Sequence, residues 1–217
     1  TIIEPFAGSA GYASRYHGLE VILVEKYARL AAVWRYLIGA SEREILALPL
    51  LAQGETLDDH VWACAEGRDL VGWNVQMGTY TPRLSPSSWS VGHAAAGSEN
   101  AAWSASRRAR TASSAAKIRH WRIIEGDYTD APDGPATWFV DPPYEVKGVH
   151  YVHGSDAIDF PALLGILHDH GYRGWLVVEA EQDPAVAPSY EYAEKGYRTL
   201  RGIVDALAAH PPRTHAR

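Results

Sequence analysis

Thr1-Ile2-Ile3-Glu4-Pro5-Phe6-Ala7-Gly8-Ser9-Ala10-Gly11 is the stretch whose reading decides the fold. Its apolar start reads as a short buried strand. Its glycines release that strand into a tight loop, where a ligand can approach the backbone with no Cβ in the way. A helix is expected over about residues 12–16. Glu20-Val21-Ile22-Leu23-Val24-Glu25 then reads as a second apolar strand that ends in an acid. Residues 28–38 carry helical apolar spacing, and Ser41 with Glu44 fits the capping box of a further helix. This β-α-β-α alternation predicts an α/β fold, a doubly wound and mostly parallel sheet with ligand sites at the carboxyl ends of its strands.

Further along, periodicity fades between about residues 72 and 116, where Gly, Ser, Pro and Ala dominate. An irregular basic insert is expected there, with a helix over about residues 104–121. Regular structure resumes at Trp121-Arg122-Ile123-Ile124-Glu125-Gly126-Asp127, followed by a strand at 136–140. A helix at 160–170, a strand at 174–179 and a last helix at 190–207 complete the expected elements, with a disordered tail at 211–217. The division read from this pattern is a cofactor-binding half at 1–71, a target-recognition insert at 72–118, a catalytic half at 119–160, and a helix–strand–helix unit with tail at 161–217.

At 217 residues the chain can bury one good core and a small appended unit. No apolar run reaches the roughly 20 residues that a membrane helix needs. Cys64 is the only cysteine, which excludes an internal disulfide and a four-thiolate metal site and suits a reducing, cytoplasmic setting. Net charge is −6, but its distribution is uneven. Residues 71–122 hold Arg83, Arg107, Arg108, Arg110, Lys117, Arg119 and Arg122 against Glu99 alone, so this stretch carries +6 and the remainder −12. A basic insert on an acidic scaffold is what a phosphate-binding segment requires, although a solvated loop is the plainer reading.

Three acids at expected strand ends carry the chemistry. Glu25 could accept hydrogen bonds from the two hydroxyls of a ribose, and Asp127 from an exocyclic amine. A surface carboxylate is the plainer reading of each. In Asp141-Pro142-Pro143-Tyr144 the prolines fix φ and supply no competing N–H, so the turn is rigid. A carboxylate and a backbone carbonyl that both accept from an aromatic amine favour pyramidal nitrogen and free its lone pair. Tyr144 would stack on the face of an extruded base.

Residues 1 to about 160 resemble the adenine-specific DNA methyltransferases of the Dam class. The resemblance rests on the opening loop, on Val24-Glu25-Lys26, on Glu125-Gly126-Asp127-Tyr128 and on Asp141-Pro142-Pro143-Tyr144. It implies S-adenosylmethionine as cofactor, held around Phe6, Gly8, Gly11, Glu25 and Asp127. It further implies Asp141, Pro142 and Tyr144 as catalytic residues of methyl transfer to adenine N6, in a restriction-modification setting. Double-stranded DNA is the implied partner, met by Arg83, Arg107, Arg108 and Arg110, with no membrane, metal or obligate protein partner. The family carries a Gly-Gly-Lys segment before its first strand. Because this chain opens at Thr1 directly on a strand, upstream residues are expected to be missing.

Residues of about 158–207 show a second resemblance. Gly171-Tyr172-Arg173-Gly174-Trp175-Leu176-Val177-Val178-Glu179-Ala180-Glu181-Gln182-Asp183-Pro184, with residues 190–200, is similar to the carboxyl-terminal unit of myo-inosose dehydratases, metal-dependent enzymes on a TIM barrel. That resemblance implies Glu179 or Glu181 as a metal ligand. The readings alternative to DNA methylation are therefore a catalytically inactive DNA-binding relative and a metal-dependent dehydratase-like protein. His150, Tyr151 and His153 read as a polar loop near the rigid turn, and Trp103 as a core or loop anchor.

Overall fold

The computed structural model describes residues 1–76, 79–88, 103–142, 158–179 and 183–210. The chain divides into two compact units, Thr1–Pro132 with Ala136–Asp156, and Asp133–Pro135 with Ala157–Arg217.

The first unit is built on a parallel sheet of β1 (Ile2–Glu4), β2 (Val21–Glu25), β3 (Arg122–Glu125) and β4 (Thr137–Trp138), in the order β3-β2-β1-β4. Ile3 lies opposite Ile22 on one side and Trp138 on the other. Both inner strands, β1 and β2, are buried almost throughout rather than on alternate residues. This is the pattern of parallel strands covered on both faces, and it explains why their sequences read as continuous apolar runs. β4 is shorter than the expected 136–140.

Helices α1 (Ala28–Gly39), α2 (Glu42–Leu46), α3 (Ala65–Asn74) and α4 (Ala105–Ala115) occupy the long connection from β2 to β3. Ser41 and Glu44 do form the capping box of α2: the Ser41 hydroxyl accepts from the Glu44 amide at 3.2 Å, and the Glu44 carboxylate accepts from the Ser41 amide at 2.6 Å. Gly72 in α3 is required by close approach, because a Cβ there would lie 2.7 Å from Pro82 Cβ and 3.2 Å from the Arg83 carbonyl oxygen.

The stretch read as an irregular insert is more ordered than expected where it is described. Ser104 caps α4, and Ala112 and Ala115, one helical turn apart, are buried in a core shared with Ile45 and Leu48. Trp103 is 5 % exposed and donates from Nε1 to the Pro49 carbonyl at 2.8 Å, so it anchors the segment. Small alanines at helical spacing make this packed face, and their low hydropathy hid it among the arginines and serines. Trp89 lies outside the described residues.

The second unit pairs α5 (Phe160–Asp169) with α6 (Ser189–Ala208). Asp159 caps α5, and Leu163, Leu164 and Leu167 are its buried face. The strand expected at 174–179 does not form: among the described residues the sheet ends at β4, and nothing pairs with this run. A strand needs a neighbour for its N–H and C=O groups, and the described residues of this unit offer none. Trp175 and Val177 are accordingly 89 % and 75 % exposed, while Val178 leans on Gly196 of α6. Among the described residues no helix is long and apolar enough to cross a membrane. The tail expected to be disordered, 211–217, lies outside them.

Candidate functional site

The strand order reverses between β1 and β4, so the chain connections leave a crevice at the carboxyl ends of those two strands. The loop after β1 and the turn after β4 meet on this edge. The Phe139 amide donates to the Ile3 carbonyl at 3.0 Å, and the Tyr12 and Phe139 rings stack at 4.7 Å with planes 3° apart. Asp141 follows as an exposed residue and Pro142 as a half-buried one. Tyr144 lies outside the described residues, as do His150, Tyr151 and His153.

Two left-handed residues and three hydrogen bonds shape the loop after β1. Gly8 has φ +46° and Ala10 has φ +50°, so the backbone turns twice through the left-handed region, once at a residue that pays a steric cost for it. The Gly8 amide donates to Glu25 Oε2 at 3.0 Å, and the Gly8 carbonyl accepts from Trp34 Nε1 at 2.9 Å. Gly11 is exposed in the same loop. The expected helix is a four-residue 3-10 turn, Ala13–Tyr16. Its first amide, Ala13, is already spent on Glu4 Oε1 at 2.5 Å.

Glu4 is the residue that sequence reasoning missed. It is 1 % exposed at the end of β1, and its carboxyl pKa is pushed up to about 7. Burial is the main cause; the Ala13 amide pulls the value down, and the charge of Asp141 pushes it up. An acid inside an otherwise fully buried parallel strand was the available signal. Tyr12 is also held above its ordinary value, by burial first and then by Tyr16 and Glu4.

On the β2 and β3 side, Glu25 accepts from the Gly8 amide through one oxygen and from the Tyr27 amide at 2.8 Å through the other. Lys26 Nζ sits 2.5 Å from Asp127 Oδ2, an ion pair absent from the sequence expectations. The Asp127 amide is itself fastened to Asp130 at 2.8 Å. Phe6 stacks on Tyr128 with centroids 5.5 Å apart. Phe6, Gly8, Glu25 and Asp127 thus share one sheet edge with Glu4 and Asp141. The chemistry available there is hydrogen-bond acceptance from hydroxyl and amine groups, beside aromatic surface.

The arginines behave differently. Arg107 is half-buried and donates to Asn74 Oδ1 at 3.0 Å, and Arg108 to the Leu48 carbonyl at 2.6 Å. Burial, and then Arg110, lower the pKa of Arg107. Both guanidinium groups tie α4 to its neighbours, whereas Arg83 and Arg110 are exposed. In the second unit Glu179 is exposed on the extended run, and Glu181 lies outside the described residues. Among the described residues no group of three or more His, Cys, Asp or Glu side chains could hold a metal ion.

No family model matches the chain. Its carboxyl-terminal segment resembles inosose dehydratase. Inosose dehydratase of Histophilus somni (strain 129Pt) is 50% identical over 58 residues, 27% of this chain and 20% of that protein. Inosose dehydratase of Erwinia tasmaniensis is 54% identical over 55 residues, 25% of this chain and 18% of that protein. Rhizopine catabolism protein MocC of Rhizobium meliloti is 42% identical over 87 residues, 40% of this chain and 26% of that protein. The chain therefore spans about a fifth to a quarter of the length of these relatives. These relatives carry the names of an inosose dehydratase and a rhizopine catabolism protein, which overturns the expectation of a site-specific adenine DNA methyltransferase in a restriction-modification setting.

Proposed function

We propose that this chain is a dehydratase-like protein of the inosose dehydratase kind, with its second unit corresponding to the carboxyl-terminal part of such an enzyme. The observation that carries this reading is identity of about half over 55 to 58 residues, too high for chance resemblance of a helix–loop–helix. The reaction class is loss of water from a polyhydroxylated ring ketone. Glu179, exposed at the end of the extended run, is proposed as one metal donor. The described residues do not complete a ligand set, and no further step is assigned to the ion.

The test is incubation with inosose and manganese or cobalt, with product followed by absorbance. Turnover that Glu179→Gln abolishes and Asp141→Ala leaves intact is the expected result. Absence of turnover, or turnover indifferent to Glu179, would overturn the reading.

A second reading concerns the first unit, where different observations favour it. We propose that its switch-point edge binds an adenosine-bearing ligand, with S-adenosylmethionine as the candidate. Glu25 ends β2 with its carboxylate oriented by the Gly8 and Tyr27 amides, and a carboxylate at that strand end is a suitable acceptor for ribose hydroxyls. Phe6, half-buried and backed by the buried Tyr128 ring, is the aromatic side chain available to a purine, and Asp127 follows β3 as an acceptor for the exocyclic amine. Calorimetric titration with S-adenosylhomocysteine tests this directly: saturable binding that Glu25→Ala weakens supports it, and no heat of binding refutes it.

A further inference from the structure

The acceptor proposed for the purine amine is already engaged. Lys26 follows Glu25 at the end of β2 and reaches across to Asp127 beyond β3, with its ammonium 2.5 Å from Oδ2. Neither side chain is deeply buried, at 44 % and 30 % exposed, so both face the rim that a ligand would approach. The backbone that carries Asp127 is fixed. Its amide is held by Asp130, whose own amide donates back to the Asp127 carbonyl at 2.8 Å, so the turn after β3 is closed on itself. The ammonium on Oδ2 takes one of the carboxylate's acceptor directions and draws on its charge, so an amine donor that approaches this oxygen competes with it.

We propose that Lys26 is an internal competitor for Asp127, and that it sets the affinity of this edge for ligands bearing an amine at the purine 6-position. The inference rests on the adenosine-binding reading above. Exposed ion pairs are worth little, so the competition costs about two- to fivefold in affinity. Salt weakens an exposed pair, so the cost shrinks as ionic strength rises.

The experiment titrates wild type and Lys26→Met with adenosine and with inosine, which carries a carbonyl in place of the amine. Both probes are neutral, so screening acts on the protein pair alone. Lys26→Met is expected to bind adenosine about two- to fivefold tighter than wild type at low salt, with equal affinities at high salt. Inosine affinity is expected to show no gain, because its carbonyl offers Asp127 no donor, and the double variant Lys26→Met/Asp127→Asn to lose the gain for adenosine. Equal adenosine affinity in wild type and Lys26→Met at low salt overturns the competition and leaves the adenosine reading standing. An equal gain for inosine also overturns it, since the effect would not run through the amine. Failure of both proteins to bind adenosine overturns the adenosine reading, and the competition with it. Thermal melting of each variant confirms that the exposed substitution leaves the fold intact.

Discussion

Replacing Glu4 by glutamine isolates the energetic cost of one buried acid. The side chain is 1 % exposed, and its pKa rises from 4.5 to about 7 on folding. Between those values the folded chain holds a proton that the unfolded chain has released. Stability from this group is therefore complete below pH 4.5 and lost as pH climbs to about 7. At about 1.4 kcal/mol for each pH unit between the two values, the loss is on the order of 3 kcal/mol, an appreciable part of a typical domain's stability. Glutamine keeps an oxygen for the Ala13 amide and carries no charge at any pH. Urea unfolding followed by tryptophan fluorescence should give wild type and Glu4→Gln similar pH dependence below pH 4.5. By pH 8 the variant should have gained about 3 kcal/mol over wild type. Asp141→Asn should recover only a small part of this, because burial outweighs the Asp141 charge among the causes. A difference between wild type and Glu4→Gln that stays constant from pH 4.5 to 8 would falsify the assignment.

Two further substitutions probe the helical half of the first unit. Gly72→Ala puts a methyl group against Pro82 Cβ and the Arg83 carbonyl, neither of which can rotate away, so a loss of about 1–3 kcal/mol is expected in chemical denaturation. An unchanged midpoint would show that the 82–83 segment moves freely. Ser41→Ala removes the hydroxyl half of the α2 capping box and should cost about 1 kcal/mol, seen as a lower thermal midpoint.

Those parts of the fold that depend on local chemistry were readable in advance. Val21 to Val24 are apolar without alternation, which fits a strand covered on both faces, and Ser41 with Glu44 is a cap that needs only four residues to be recognised. The edge shared by Gly8, Glu25 and Asp127 followed from the same logic, since parallel strands end on one side. Contacts set by partners distant in sequence were not readable. Lys26 reaches Asp127 across 101 positions, and Arg108 donates from one terminal nitrogen to a carbonyl 60 positions away. The charge of the 71–122 stretch was plain. That two of its arginines serve internal carbonyl and amide groups depended on a helix whose packed face is only alanine.

Trp175 to Glu179 shows most directly how context decides structure. The run is apolar, β-branched in part and bounded by Gly174, which is sufficient for a strand by composition. The energy of a strand, however, comes from a ladder that only a neighbour supplies, and from two covered faces in a parallel sheet. Among the described residues of this unit one face has α6, through Val178 and Gly196, and the other has no cover, with Trp175 at 89 % exposure. A segment whose curated relatives are about five to six times longer than the matched stretch carries side chains suited to contacts that the described residues do not provide. Identity of about half and absence of the expected strand are therefore compatible. The first reflects the residues themselves, and the second reflects what surrounds them.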